Sequence, residues 1–207
     1  MLGVRRRVDL VALLVGLALF VPAALIAHSG RVGDLEAAIF RTINHLPDAL
    51  FPFANAAQFL GVLIVGPIVA LVALLLRRPR LALAALMVTG LKLLVERIVI
   101  WPLVFRARPG TSTPGAIVRG TTPVTGAAFV SGHVILITAI AWVVMPYLHG
   151  RWRWVPWVFV GVVVFARLYL GAHNPLDVLG GLGMGLIVGG VTNLVVGVST
   201  EPEDLTV

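Results

Sequence analysis

An arginine, a histidine and a carboxylate lie close together near the C-terminal third of the chain. Arg167, His173 and Asp177 fall within eleven residues, at the boundary between two long apolar runs. An arginine at the edge of an apolar segment costs free energy unless it meets an anion, so it is a candidate functional residue. Asp177 follows His173 by four residues, so its carboxylate could bind one ring nitrogen and leave the other free to act. These residue types predict a phosphate-handling site at a membrane surface.

Two further polar clusters stand at the ends of apolar runs. Arg106-Ala107-Arg108-Pro109 follows one run, and Ser131-Gly132-His133 begins the next. Taken singly, the arginines could be ordinary loop cations and Ser-Gly-His could be a helix cap. Arg167 could likewise only extend its charge toward water. The three clusters together are more specific than any one of them.

The composition indicates an integral membrane protein. Of 207 residues, 59% are hydrophobic and 12% are charged, whereas a soluble domain carries about 25% charged residues. We therefore expect one membrane domain over residues 1–207, with no separate soluble domain. The absence of cysteine excludes disulfides and thiolate metal sites. The net charge of +7 does not require a nucleic-acid partner, because the arginines lie in short loops between apolar runs.

Six apolar segments each approach the roughly 20 residues needed to cross a bilayer. Backbone groups in lipid must be paired within their own segment, so we predict an all-α polytopic protein with six transmembrane helices in a single bundle. The first segment follows a basic stretch, as in a signal peptide, but its length favours a retained span. The glycine-rich last segment predicts close helix packing. The predicted spans are about 9–27, 56–76, 81–103, 129–148, 155–172 and 176–197.

Basic residues flank these spans at alternate ends. Because cytoplasmic loops are enriched in Lys and Arg, both termini are predicted to be cytoplasmic, with the polar clusters on the outer face. The acidic C-terminal tail would then lie inside, and segment 28–55 would carry a short amphipathic helix on the outer surface. Only one of the sixteen basic residues is lysine, which favours a GC-rich bacterial genome and hence a bacterial inner membrane. The orienting cations are Arg5, Arg6, Arg7, Arg77, Arg78, Arg80, Arg151 and Arg153.

In their order and spacing, the three clusters resemble the motifs of the type 2 phosphatidic acid phosphatase superfamily, which includes bacterial polyprenyl-pyrophosphate phosphatases. The family's third motif, Ser-Arg-x5-His-x3-Asp, is similar to residues 166–177, with Ala166 where serine is usual. The second motif, Pro-Ser-Gly-His, is similar to residues 130–133, with Val130 in place of proline. The first, Lys-x6-Arg-Pro, is matched only at Arg108-Pro109.

The resemblance implies a role for each matched residue. His173 would attack phosphorus and form a phosphohistidine, with Asp177 holding the ring tautomer. His133 would protonate the leaving oxygen as a general acid. No metal or other cofactor is required by this chemistry. The phosphate ligands implied by the motifs are Arg108, Arg167, Ser131 and the amide of Gly132.

The first motif departs from the family pattern. Its lysine would stand seven residues before Arg108, where this chain has Trp101. Lys92 lies nine residues before Trp101, roughly 13 Å along an α-helix. Arg97 lies one turn before Trp101, so we predict that Arg97 replaces the missing lysine in binding phosphate. Alternatively, the pocket is one cation short. Glu96 is expected to pair with Lys92 as a structural contact.

Two functions of different classes remain open. The first is a membrane-embedded lipid phosphatase acting on a phosphomonoester or pyrophosphate of a polyprenyl or glycerophospholipid. A phosphotransferase between lipids would have the same residues. The second is a catalytically weak or inactive member that binds lipid or assembles with other proteins, which the altered first motif would explain. A small transporter fits less well, because the charged residues gather at one surface. The expected partners are a lipid phosphate and the bilayer, with no nucleic acid, and the oligomeric state stays open.

Overall fold

A computed structural model describes residues 3–199, which are mostly helical. The acidic tail residues Glu201, Glu203 and Asp204 lie outside the described residues, and so does their predicted location. The ten α-helices of the described chain are α1 (Arg7–His28), α2 (Asp34–Asn44), α3 (Phe51–Ala57), α4 (Val65–Leu75), α5 (Pro79–Leu94), α6 (Trp101–Leu103), α7 (Pro109–Ser112), α8 (Gly132–Val144), α9 (Val155–Tyr169) and α10 (Pro175–Val196).

Shorter elements connect these helices. A π-helical segment, Val95–Ile100, joins α5 to α6. Strands β1 (Gly3–Val4) and β2 (Val198–Ser199) pair antiparallel and bring the two ends of the described chain together. The 3-10 helices are Asp48–Leu50, Gln58–Gly61, Met145–Tyr147 and Gly150–Trp154.

The predicted count of six spans is not confirmed. Within residues 3–199, α1 and α10 are long and apolar enough to cross a membrane, and a third span results if Asp48–Gly61 and Val65–Leu75 count as one. That pair is bent by 65°. Helix α8 has 13 residues, because the 3-10 helix Met145–Tyr147 takes up the end of its apolar run. Helix α9 has 15 residues, because the chain turns after Tyr169. The side of the membrane on which each loop lies stays a prediction.

Helix α10 forms the centre of the protein, between α1 and α8. A Cβ on Gly183 would lie 2.7 Å from the carbonyl oxygen of Gly16 in α1. On the other face of α10, a Cβ on Gly181 would lie 2.9 Å from the side chain of Val134 in α8. Only glycine permits these approaches, which confirms the predicted packing through small residues. This packing fixes the start of α10 against the start of α8, where two of the three motifs lie.

Helix α2 is amphipathic, as predicted for segment 28–55. Glu36, Phe40 and Asn44 are buried on one face, whereas Leu35 is 76% exposed on the other. Asn44 donates from Nδ2 to the carbonyl of Tyr169 at 2.9 Å and accepts from the amide of Ile117 at 2.8 Å. Helix α2 is thereby fixed to the C-terminal end of α9 and to the long loop that precedes α8.

Candidate functional site

Residues of all three sequence clusters meet in one cavity of about 410 Å³. Arg108 comes from the loop before α7, His133 from the first turn of α8 and Arg167 from the last turn of α9. His173 comes from the short connection between α9 and α10. Two imidazoles and two guanidinium groups in one cavity can bind and attack an anionic phosphorus centre.

The bend between α3 and α4 forms one wall of this cavity. Gln58 lines the cavity, and its Oε1 accepts a hydrogen bond of 2.7 Å from Nη1 of Arg167. Gln58 in turn donates to Oδ1 of Asn55 at 2.9 Å, so its amide is held in place. A Cβ on Gly61 would lie 2.7 Å from Cβ of His133, so the bend packs directly against that histidine. Gln58 and Gly61 were not predicted, because a straight span was expected there.

Arg167 retains an unused hydrogen-bond donor. Its residue is 5% exposed, and its Nε is buried without a hydrogen-bond partner in the described structure. Leaving a buried charged donor unpaired costs free energy. An oxyanion in the cavity could accept from this group, and that is the role predicted for Arg167.

The ring of His173 is held by a backbone carbonyl. Its Nδ1 lies 2.9 Å from the carbonyl oxygen of Ala128. A carbonyl can only accept, so Nδ1 carries the hydrogen and Nε2 is left as the nucleophilic atom. The nearest oxygen of Asp177 is 3.9 Å from Nδ1, beyond hydrogen-bond distance. The predicted direct contact from Asp177 to the ring is therefore absent, and Ala128 takes that place.

Asp177 is occupied by other partners. Its Oδ2 accepts from the amide of Asn174 at 2.8 Å, which caps the start of α10. Its Oδ1 accepts from Nη1 of Arg106 at 3.1 Å. Arg106 is fully buried, and its Nη1 also donates to Oε1 of Glu36 at 2.8 Å. Glu36 accepts from the amide of Leu176 at 2.9 Å as well. This network joins α2, the first motif and the start of α10.

Burial and positive charge keep His173 neutral. Burial, followed by the charges of Arg167 and Arg108, holds the pKa of His173 well below its ordinary value of 6.5. Its imidazole is therefore unprotonated near pH 7, as a nucleophile requires. Burial also lowers the pKa of Arg108, but an arginine stays protonated at physiological pH. Arg108 donates from Nη1 to the carbonyl of Ala172 at 3.0 Å, which places it beside His173.

The predicted phosphate ligand Arg97 is not brought to the cavity. Arg97 is exposed, whereas Lys92 and Glu96 line the cavity as an ion pair. The prediction for Arg97 assumed a regular α-helix from Lys92 to Trp101. The π-helical segment changes the direction of the side chains along this stretch, because its hydrogen bonds run from i to i+5. Lys92 therefore lines the cavity where Arg97 was predicted to do so.

The Ser-Gly-His motif starts α8 at the cavity. Gly132 lines the cavity, and a Cβ on it would collide with the carboxylate of Glu96 and come within 2.8 Å of Nζ of Lys92. Ser131 is the residue before α8, but its hydroxyl makes no capping hydrogen bond. That hydroxyl is buried and lacks a partner in the described structure. Ser131 lies just behind the cavity wall, whereas Gly132 forms part of it.

Arg119 fixes the loop above the cavity. Thr121, Thr122 and Pro123 from this loop line the cavity. Arg119 is 8% exposed and donates to the carbonyls of Asn44 and Tyr169 at 2.7 and 2.8 Å. The sequence analysis assigned Arg119 no role, since its partners lie 75 and 50 residues away in sequence.

Known proteins show both sequence and structural similarity to this chain. Residues 80–201 match a sequence model of the PAP2 superfamily. The lipid A 4'-phosphatase of Porphyromonas gingivalis is 32% identical over 62 residues, which are 30% of this chain and 26% of that protein. The aligned part thus spans about a quarter of that relative.

Two crystal structures share the fold. Aquifex aeolicus LpxE superimposes with a TM-score of 0.65 at 22% identity, covering 77% of this chain and 95% of that one. A PAP2 type phosphatidylglycerolphosphate phosphatase from Bacillus subtilis gives a TM-score of 0.56 at 20% identity, covering 86% of this chain and 94% of that one. Since the family match extends over more than half of the residues and includes all three motifs, this chain belongs to the PAP2 superfamily.

Proposed function

We propose that this protein is a membrane lipid phosphatase that transfers a phosphoryl group from a lipid to His173 and then to water. The observation that carries the proposal is the single cavity lined by His133, His173, Arg108 and Arg167. The similar proteins named as a lipid A 4'-phosphatase and a phosphatidylglycerolphosphate phosphatase support it. The substrate is a phosphomonoester or pyrophosphate of a polyprenyl or glycerophospholipid.

The first step forms a phosphohistidine. Nε2 of His173 attacks phosphorus while the bond from phosphorus to the leaving oxygen breaks. His133 donates a proton to that oxygen, which leaves as the lipid alcohol, or as a lipid phosphate when the substrate is a pyrophosphate. The imidazolium that results from the attack donates from Nδ1 to the carbonyl of Ala128, 2.9 Å away. The P–N bond is then ready for hydrolysis.

The second step releases inorganic phosphate. His133, now neutral, takes a proton from water as the water oxygen attacks phosphorus. The P–N bond breaks, its electron pair returns to His173, and both histidines regain their starting protonation states. A lipid hydroxyl in place of water would give a phosphotransferase by the same steps.

The cations of the cavity stabilise the charge that develops on the phosphoryl oxygens. Arg167 offers its unpaired Nε and Arg108 its guanidinium, while Lys92 supplies the third cation. The amide of Gly132, in the first turn of α8, adds a donor where helix N-termini favour anions. We assign Ser131 to the same anion site through its unpaired hydroxyl. These groups supply electrostatic stabilisation without a metal ion.

We place the protein in a bacterial cytoplasmic membrane, with both termini inside and the cavity facing outward. The alternation of basic loops supports this orientation. Phe59 and Val62 line the cavity at the bend before α4, and Phe59 is 60% exposed. They give an apolar margin along which a lipid tail could lie while its phosphate reaches His173.

Phosphate release from a panel of lipid phosphates in detergent tests the function. The wild type is expected to release phosphate, and His173→Ala to lose at least 10³-fold in kcat. His149→Ala is the matched control, because His149 is exposed and lies outside the cavity. Acid-labile, base-stable label on the protein after mixing with ³²P-lipid would identify the phosphohistidine. Equal phosphate release by the wild type and His173→Ala would contradict the proposal and favour a catalytically inactive lipid-binding protein.

A further inference from the structure

A carboxylate lines the cavity that is otherwise suited to anions. Glu96 is buried and forms an ion pair with Lys92, and both line the cavity together with Arg108 and Arg167. Neither chemical step described above uses Glu96. A negative charge beside a phosphate weakens its binding, so the presence of Glu96 calls for a physical explanation.

The charges in the cavity amount to a small positive excess. The charged side chains that line it are the cations Lys92, Arg108 and Arg167 and the anion Glu96, and the proton that His133 donates in the first step brings the net charge to +3. A phosphomonoester carries about 1.5 to 2 negative charges at pH 7. A lipid pyrophosphate carries about one more, on the phosphate that becomes the leaving group. Glu96 lowers the positive charge of the cavity by one, which weakens the attraction of a pyrophosphate more than that of a phosphomonoester, because the pyrophosphate carries the larger negative charge.

The buried charged groups next to His173 do not offset the effect of Glu96. Arg106 lies between Glu36 and Asp177, so that the three side chains together carry a net charge of −1. Any field from this buried group reaches the cavity as a further negative contribution. It disfavours the more highly charged substrate, in the same direction as Glu96.

Glu96 lies on the side of the cavity where the leaving group is protonated. Its carboxylate packs against Gly132, where an added Cβ would collide with it. Gly132 directly precedes His133, the residue that protonates the leaving oxygen in the proposed mechanism. A leaving group next to His133 is therefore near the carboxylate. An alcohol leaves that place as a neutral molecule, whereas a second phosphate would bring another negative charge beside Glu96.

We propose that Glu96 is a specificity-determining residue that makes this site prefer a lipid phosphomonoester over a lipid pyrophosphate. The inference rests on the proposed phosphatase function. Glu96 acts in two ways: it balances one cation of the cavity through Lys92, and it repels an anionic leaving group beside His133. Removing its charge without changing its shape will improve the pyrophosphate as a substrate relative to the monoester.

The test compares substrates that share one tail. Phosphatidic acid and diacylglycerol pyrophosphate form one pair, and farnesyl phosphate and farnesyl pyrophosphate form another. For each pair, kcat/KM for phosphate release is measured with the wild type and Glu96→Gln. The wild type is expected to prefer the monophosphate. Glu96→Gln is expected to lower the ratio of kcat/KM for the monophosphate to kcat/KM for the pyrophosphate by about tenfold. Both substrates meet the same preparation, so a loss of folded protein cancels in the ratio.

The control is Asp34→Asn, which also turns a carboxylate into an amide but at an exposed position outside the cavity. Its ratio is expected to equal that of the wild type. Glu96→Asp, which keeps the charge, should retain the preference. An unchanged ratio in Glu96→Gln, or a wild type that prefers pyrophosphates, would overturn the inference while leaving the phosphatase function intact. A wild type that releases no phosphate from any lipid would instead refute the phosphatase function.

A measurement on the wild type alone covers the case in which Glu96 variants do not fold. Inorganic phosphate is expected to inhibit the enzyme at lower concentration than inorganic pyrophosphate does, because the second phosphate of pyrophosphate would lie beside the carboxylate of Glu96. Stronger inhibition by pyrophosphate would overturn the inference without any substitution.

Discussion

Nδ1 of His173 lies 2.9 Å from the carbonyl oxygen of Ala128, whereas the nearest oxygen of Asp177 is 3.9 Å away. The orientation of the His173 ring therefore depends on the backbone of the loop that precedes α8. Asp177 instead caps α10 through Asn174 and pairs with Arg106. The carboxylate fixes the frame of the site, and the carbonyl fixes the ring.

This division of roles predicts the effect of Asp177→Asn. Where a carboxylate holds a catalytic ring directly, its loss costs about 10⁴ in kcat. We expect less than a 10²-fold loss here, measured as single-turnover phosphoryl transfer per folded enzyme, together with a lower melting temperature because Arg106 loses part of its buried pairing. A 10⁴-fold loss at an unchanged melting temperature would show that Asp177 contacts His173 directly in the reacting enzyme.

The environment of His173 predicts the pH dependence. Its lowered pKa means that the imidazole takes up a proton only below its ordinary value of 6.5, so the acidic limb of kcat/KM should lie below pH 6.5. The charge of Arg167 contributes to this shift. Arg167→Gln should therefore move the limb toward higher pH, apart from its effect on rate. The profile of kcat/KM between pH 4 and 9 measures both.

The control for this experiment is Arg153→Gln, which removes an exposed cation. Its acidic limb should coincide with that of the wild type. If the limb of Arg167→Gln stayed in place or moved to lower pH, the cations would not be what keeps His173 neutral.

The cavity predicts different roles for two neighbouring cations. Lys92 lines the cavity and Arg97 does not, so Lys92→Gln should lower kcat/KM by about 10² and Arg97→Gln by less than twofold. Steady-state kinetics with one lipid phosphate in one detergent compares them directly. A larger loss in Arg97→Gln than in Lys92→Gln would restore the interpretation made from helical spacing.

The sequence predicted the residues that line the cavity better than the residues that support them. His133, His173, Arg108 and Arg167 could be identified because each belongs to a short motif at the end of an apolar run. From the sequence, Arg106 could be recognised only as a cation in the cluster that contains Arg108. Its pairing with Glu36 joins residues 70 positions apart, and local spacing carries no information on contacts of that range.

Departures from regular helices account for the remaining errors. The π-helical segment Val95–Ile100 brings Lys92 to the cavity in place of Arg97. The bend after Gly61 breaks a predicted span and turns Gln58 toward Arg167. Mean hydropathy is unaffected by either feature, so an apolar run predicts a helix in the bilayer without revealing where the helix deviates from regular geometry.

The bend between α3 and α4 also predicts that one small substitution affects protonation of the leaving group but not attack on phosphorus. A Cβ on Gly61 would lie 2.7 Å from Cβ of His133, so Gly61→Ala must displace His133 or the bend. If His133 is the general acid, the substitution should lower kcat by about 10–100-fold for a lipid phosphate, whose alcohol needs a proton to leave. It should have little effect on p-nitrophenyl phosphate, whose phenolate leaves unprotonated. Comparing kcat for the two substrates measures the difference.

Gly90→Ala in α5 is the matched control, since nothing lies within 4 Å of a Cβ at that position. Both its rates should stay within about twofold of the wild type, because adding a methyl group in open space on a helix is close to neutral or stabilising. An equal loss on both substrates in Gly61→Ala would mean that the bend positions the phosphate or His173, and that proton transfer to the leaving group does not depend on it. A loss confined to the lipid substrate would show that His133 donates the proton to the leaving group. It would also show that the close packing of Gly61 positions His133 for that donation.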